Sequence, residues 1–137
     1  MQEASNTQVI QEAYAAFGRA DIGALLERID DNAVWNGVYG TNATVPMAGE
    51  RRGKAAIAEF FRLVAEHVNF SVFEPKEFVA AGDKVVTLGH YAATTSAGGS
   101  FESDFVMVFT LRNAKVVRFQ EFSDSAAINA AYAGAAV

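Results

Sequence analysis

In three stretches before residue 65, over 6–17, 21–29 and 57–64, the apolar positions recur every three or four residues, whereas from residue 69 to residue 123 apolar and polar side chains alternate. The first spacing places one stripe of a helix toward a core, and the second buries one face of a strand. Ile10, Ala13, Tyr14 and Phe17 share one face of a first helix expected over 6–17, with Ser5 and Gln8 spaced as a capping box and Gly18 as its stop. A second, shorter helix is expected in DIGALLERI, capped by Asp21, with Ile22, Leu25, Leu26 and Ile29 turned inward. NAVWNGVY, residues 32–39, reads as a strand and GTNATVPMAGERRG as an irregular loop, after which Ile57, Phe60, Phe61 and Val64 form the inner stripe of a third helix.

Strands follow near 70–80, 84–95, 100–112 and 115–123, joined by short turns at Gly82-Asp83, Ala97 to Gly99 and Asn113-Ala114. An alanine-rich segment, SAAINAAY, then predicts a short C-terminal helix. The expected layout is α+β in the order α-α-β-α-β-β-β-β plus that last helix, a single domain over 1–137 with helices covering one face of a curved antiparallel sheet. Phe105, Met107 and Phe109 point inward on their strand, yet Val106 and Val108 make its other side apolar too. A strand apolar on both faces needs a second cover, and the simplest one is another subunit, so a homodimer through the sheet is expected.

Composition narrows the classes of function. A net charge of -5 and the lack of any basic run beyond Arg51-Arg52 argue against nucleic acid and anionic membranes as partners. The absence of cysteine excludes disulfides and thiol nucleophiles. MQEASNTQ has neither a basic flank nor an apolar stretch, which makes a soluble cytoplasmic protein the default expectation. His67 and His90 have no ligand spacing around them, so no metal is expected, and no glycine-rich loop between strand and helix supports a nucleotide cofactor. Eleven Phe exceed what a small core needs, which points to an apolar pocket or an interface.

The segments ADIGALLERIDDNAVW, AGERRGKAAIAEFF, FVAAGDKVV and FVMVFTLRNAKVVRFQEFSDSAA together resemble the SnoaL-like, ketosteroid isomerase-related proteins of the nuclear transport factor 2-like superfamily. The resemblance implies a cone-shaped, cystatin-like fold whose bent sheet wraps around helices, with a cavity inside and usually a dimer. It does not fix a reaction, because the superfamily holds isomerases, cyclases, hydrolases, dehydratases and noncatalytic binders. Where the steroid isomerases carry an Asp base and a protonated Asp, this chain has Asn36 and Met107, and the Tyr position falls near Ala13, beside Tyr14. Steroid isomerisation is therefore not expected. Closer relatives often carry His, Arg and Tyr where this chain has Met107, Gln120 and Phe122, while Asp124 resembles the acid that serves as base in the SnoaL-like cyclases.

Asp124 has two readings: a cap for the helix beginning SAAINAAY, or a pocket base with Phe122 and Gln120 on the same side of its strand. His90 shares a parity with Val86 and Leu88, which would turn it toward the pocket to pair with Asp124, and the opposite parity sends it to solvent. Tyr14 is the third catalytic candidate. Trp35, Asn36, Phe17, Phe60, Phe105, Met107, Phe109, Gln120 and Phe122 are the candidate ligand contacts, with Trp35 and Tyr14 able to orient a carbonyl or hydroxyl. Two functions are compatible with this set. One is a cofactor-independent isomerase, cyclase or lyase acting on a small or medium apolar carbonyl compound, and the other is a binding or interaction domain that has lost its reagents.

Overall fold

The computed structural model describes residues 2–37 and 45–133. Its elements run α1 (Gln2–Gly18), α2 (Ile22–Leu26), β1 (Ile29–Asn36), β2 (Glu50–Arg52), α3 (Lys54–His67), β3 (Val68–Ala81), β4 (Lys84–Thr95), β5 (Ser100–Arg112), β6 (Lys115–Phe122) and α4 (Ser125–Tyr132). The end of the expected first strand, 38–39, and the start of the expected loop, 40–44, lie outside the described residues. No helix among the described residues is long and apolar enough to cross a membrane.

The strands form one curved six-stranded sheet in the order β2-β1-β6-β5-β4-β3. β3 to β6 make an antiparallel meander whose bounds match the alternating segments within a few residues. The turn between β5 and β6 holds Asn113 at φ 53° and Ala114 at φ 64°, the two left-handed residues that a tight hairpin matched to strand twist requires. β3 carries register shifts between Phe70 and Val72 and between Pro75 and Glu77, which bend the edge strand and accommodate its proline. Bending lets one face of the sheet wrap around the helices.

Three expectations change. The sheet is mixed and not purely antiparallel, because β1 runs parallel to β6; alternation along a strand carries no information about which way a distant neighbour runs. Glu50 to Arg52, assigned to a loop, pairs with β1 as a short edge strand, and three consecutive polar residues gave no strand pattern to read. The first helix begins near Gln2, so Ser5 lies inside it and forms no capping box. Asp21 does cap α2, its Oδ1 accepting from the Ala24 N–H at 3.1 Å.

The core lies between the concave sheet face and the helices, and joins Ile10, Leu25, Trp35, Ile57, Phe105, Phe109 and Phe119 in one cluster. Aromatic rings dominate it. Tyr14 meets Phe73, Phe78 and Phe109 at centroid distances near 6 Å, and Trp35 stacks on Phe119 at 4.0 Å. Large planar side chains that meet at angles leave gaps which aliphatic chains would fill, and the cavity opens among them.

Candidate active site

A cavity of about 100 Å³ lies inside the cone, with walls from every helix and from β1, β3, β4, β5 and β6. Helix α1 contributes Tyr14 and Phe17, β1 contributes Trp35, α3 contributes Phe60 and Phe61, and β5 contributes Met107 and Phe109. The lining is almost wholly apolar. Among the described residues its one carboxylic acid is Glu121, from the inward face of β6 between Phe119 and the strand end.

Burial sets the chemistry of that acid. Loss of water pushes the Glu121 carboxyl up to about 7, and the hydrogen bond from Tyr91 offsets only part of the rise. The Tyr91 hydroxyl donates to Glu121 Oε2 at 2.5 Å, across a site that is buried on both sides. Burial first, and then the neighbouring Glu121 charge, raise the Tyr91 phenol, so it stays a donor at any ordinary pH. Tyr132, on α4, also lines the cavity; its phenol is raised by burial, and among the described residues its hydroxyl has no hydrogen-bond partner. The buried indole N–H of Trp35 has none either.

At the other side of the cavity the Tyr14 hydroxyl donates to the Met107 thioether at 2.9 Å. Burial raises the Tyr14 phenol, with the Thr87 hydroxyl acting the other way and the Glu121 charge adding to the rise. A thioether is a weak acceptor, so a ligand oxygen can compete for this donor.

Of the residues singled out from the sequence, Tyr14, Trp35, Phe17, Phe60, Met107 and Phe109 do line the cavity. Phe105 points inward but sits one layer back, packed between Phe73 and Tyr91 as part of the core. Gln120 and Phe122 have the opposite parity to Phe119 and Glu121 and face out of the cone, Phe122 being 47% exposed. Asn36 also turns away, its amide donating to Glu50 on the neighbouring strand at 3.4 Å. His90 lies on the outer sheet face between Asp104, 2.8 Å from Nδ1, and Glu102, 2.7 Å from Nε2. Those two carboxylates, Asp104 first, raise its pKa.

Asp124 is exposed at the N-terminus of α4, and its Oδ1 accepts from the Ala127 N–H at 3.0 Å. The chain leaves the strand at Phe122, so counting back from Asp124 by twos gives the wrong face. A cap predicts a mild phenotype. Asp124→Asn is expected to leave the melting temperature nearly unchanged, and Asp124→Ala to cost ~1 kcal/mol in chemical denaturation. Loss of ligand binding or turnover in the Asn variant would contradict the assignment.

The sequence reading did not single out Glu121, Tyr91 and Tyr132, and of these Glu121 had a legible signal. Arg118 and Gln120 share a parity on β6, and an arginine belongs outside, which sends Phe119 and Glu121 in. Among the described residues no group of three or more His, Asp or Glu side chains is placed to hold a metal ion.

The comparisons agree with this architecture. An NTF2-like protein from Burkholderia xenovorans LB400 is 33% identical, with a TM-score of 0.85 over 95% of this chain and 97% of that one. An NTF2-like protein of unknown function from Burkholderia pseudomallei K96243 is 27% identical, with a TM-score of 0.82 over 93% and 97%. TerC, co-crystallized with polyporic acid, is 27% identical, with a TM-score of 0.80 over 94% and 98%. No curated protein matches the chain. The SnoaL-like domain matches residues 10–119, which carry the second half of α1, helices α2 and α3, the sheet up to Phe119 and most of the cavity wall, and the chain therefore belongs to the SnoaL-like family of NTF2-like proteins.

Proposed function

We propose that this protein is an acid/base enzyme of the isomerase or lyase type, acting on a small apolar carbonyl compound, with Glu121 as the group that moves the proton. The observation that carries the reading is a buried carboxyl pushed up to about 7 in an otherwise apolar cavity. A base whose pKa sits near the working pH is both available and strong enough to take a proton, and can return it as an acid. Tyr91 orients the carboxyl by donating to its Oε2.

In the proposed reaction Glu121 removes a proton from the carbon next to the carbonyl, and the electron pair moves onto the carbonyl oxygen. Tyr132 and Trp35 supply buried donors that have no acceptor among the described residues, each a standing cost of about 1–3 kcal/mol that a ligand oxygen would relieve. A hydrogen bond to the enolate oxygen stabilises charge that develops only as the proton leaves. The proton on Glu121 then returns to a different carbon, which isomerises the substrate, or a leaving group departs from the β-carbon, which makes the reaction a lyase step.

Cavity size limits the substrate. Typical ligand pockets measure roughly 300–1,000 Å³, so about 100 Å³ favours a compound of a few carbons unless the aromatic walls move apart.

The test is deuterium incorporation from D₂O into a panel of small ketones, aldehydes and 1,3-dicarbonyls. The wild type should exchange the α-proton of at least one compound, and Glu121→Gln should lose the exchange by about 10²–10⁴-fold. Tight ligand binding with no exchange in either protein would favour a noncatalytic binding domain, a reading supported by the weak Tyr14 to Met107 pair standing where an acid would be needed to assist.

A further inference from the structure

On the sheet face turned away from the cavity, cations gather at one end of the strands. Val34, Arg118, Thr110 and Lys84 lie side by side across β1, β6, β5 and β4, and Arg112 follows two residues beyond Thr110 on the same face of β5. With strands about 4.8 Å apart, Arg118 and Lys84 flank Thr110 over a span of about 10 Å, and Arg112 lies about 7 Å along β5. Three long side chains at that spacing reach one common point above Thr110.

A groove of about 460 Å³ opens there, bordered by the three cations and by Thr110, with Val34 and Val117 as a half-buried apolar wall. The Lys84 ammonium donates to the Thr110 hydroxyl at 2.9 Å, which holds it over the middle of the row, and an ammonium has two further protons to give. Among the described residues the one carboxylate bordering the groove is Asp30, which accepts from the Asn32 N–H at 2.9 Å. Elsewhere the cations are matched: Arg19 pairs with Asp21, Arg28 with Glu12, Arg52 with Glu50, Lys54 with Asp31 and Arg62 with Glu59. Lys84, Arg112 and Arg118 make no such pair among the described residues, although the chain carries a net charge of -5. The acids of this face stand at its other end, where Glu74 and Asp104 flank His90. Asp104 is about 20 Å from Thr110 along the strand, well beyond the ~8 Å screening length of physiological salt. The groove therefore keeps a positive potential of its own, which draws in a small anion.

We propose that this groove binds a phosphate monoester, with the phosphate oxygens above Thr110 and the organic group resting on Val34 and Val117. A monoester carries nearly two negative charges at neutral pH and three terminal oxygens, each a strong acceptor. Two guanidinium forks, one ammonium and one hydroxyl supply donors for all three oxygens. A carboxylate brings one charge and two oxygens and cannot engage the whole set. The acidic end of the same face repels a long polyanion, so the ligand is small. The site lies across the sheet from Glu121 and stands independently of the chemistry proposed for the cavity.

The test is a titration of the ¹⁵N-labelled full chain with phenyl phosphate at pH 8 and about 20 mM salt, followed by amide shifts. The expected result is a saturable one-site curve with shifts confined to residues 30–34, 84–86 and 110–118. Arg112→Gln with Arg118→Gln should weaken binding by at least about tenfold, while Lys76→Gln, at an exposed position of β3, leaves it unchanged. Benzoate should bind at least about tenfold more weakly than phenyl phosphate, and inorganic phosphate more weakly too, for want of contact with the two valines. Shifts that never saturate or that spread over the other lysines and arginines, benzoate or inorganic phosphate bound as tightly as phenyl phosphate, or a double variant that binds like wild type would each overturn the proposal. Should the double variant misfold by circular dichroism, Lys84→Gln, at the exposed start of β4, is read in the same way.

Discussion

Glu121→Gln is expected to make the protein more stable at pH 8 and to change its stability little at pH 4. Linkage fixes the sign. The carboxyl titrates near 7 in the folded chain and near its ordinary 4.5 in the unfolded one. Below 4.5 both states hold the proton and burial costs little. As the pH rises toward 7 the unfolded state releases the proton while the folded state keeps it, so stability is lost through this window and levels off above it. The whole change is on the order of 3 kcal/mol, enough to move the melting temperature by several degrees in a domain of this length. Glutamine keeps the shape and the acceptor for Tyr91 but removes the titration. Melting curves of both proteins from pH 4 to pH 9 check this; a gap that does not widen with pH would mean that the carboxyl is not strained by burial. A site that costs the fold stability at the pH where the proton must move is what a proton-transfer role requires.

Gly99→Ala carries the second large effect, through the helix that closes the cavity. A methyl group at Gly99 would overlap the Ala131 carbonyl oxygen and come within 2.7 Å of Ala131 Cα and 2.8 Å of its carbonyl carbon. These are backbone atoms of α4 and cannot rotate away. Relief requires α4 to move off the turn, which breaks the buried bond of 2.8 Å from the Thr95 hydroxyl to the Ala131 carbonyl and withdraws Ile128 and Tyr132 from the cavity wall. Overpacking of this kind typically costs about 1–3 kcal/mol. The expected result is a lower denaturation midpoint with faster amide exchange along 125–132, together with weaker ligand binding. A Gly99→Ala protein as stable as wild type, with α4 equally protected, would mean that the turn yields and the helix does not.

Much of the fold was legible because the meander alternates cleanly: Lys84 to Thr95 and Ser100 to Arg112 have the same bounds whether read from the pattern or from the structure. The parallel pairing of β1 with β6 was not legible, since it depends on where two segments far apart in sequence meet. Two pocket contacts were misplaced for a local reason. Asp124 looked like the end of the strand, and counting inward from it put Phe122 and Gln120 in the pocket, whereas the strand stops at Phe122 and Arg118 fixes the true parity. His90 had two readings, and the structure takes the solvent-facing one: Val86 and Leu88, which suggested a core-facing side, belong to the outer face, whose apolar residues imitate a core. Buried polar side chains such as Glu121 and Tyr91 stand out only when parity is set by residues that must face water.

The most direct measurement is the titration of Glu121 itself by carboxyl ¹³C NMR on protein labelled at glutamate, with its resonance assigned by disappearance in Glu121→Gln. The account predicts one glutamate with a midpoint near 7 that falls toward ordinary values when Gly99→Ala lets water into the cavity. A midpoint near 4.5 in the folded wild type would contradict it, because a carboxyl already charged and solvated at neutral pH would not be the buried, finely poised proton carrier on which the proposed chemistry rests.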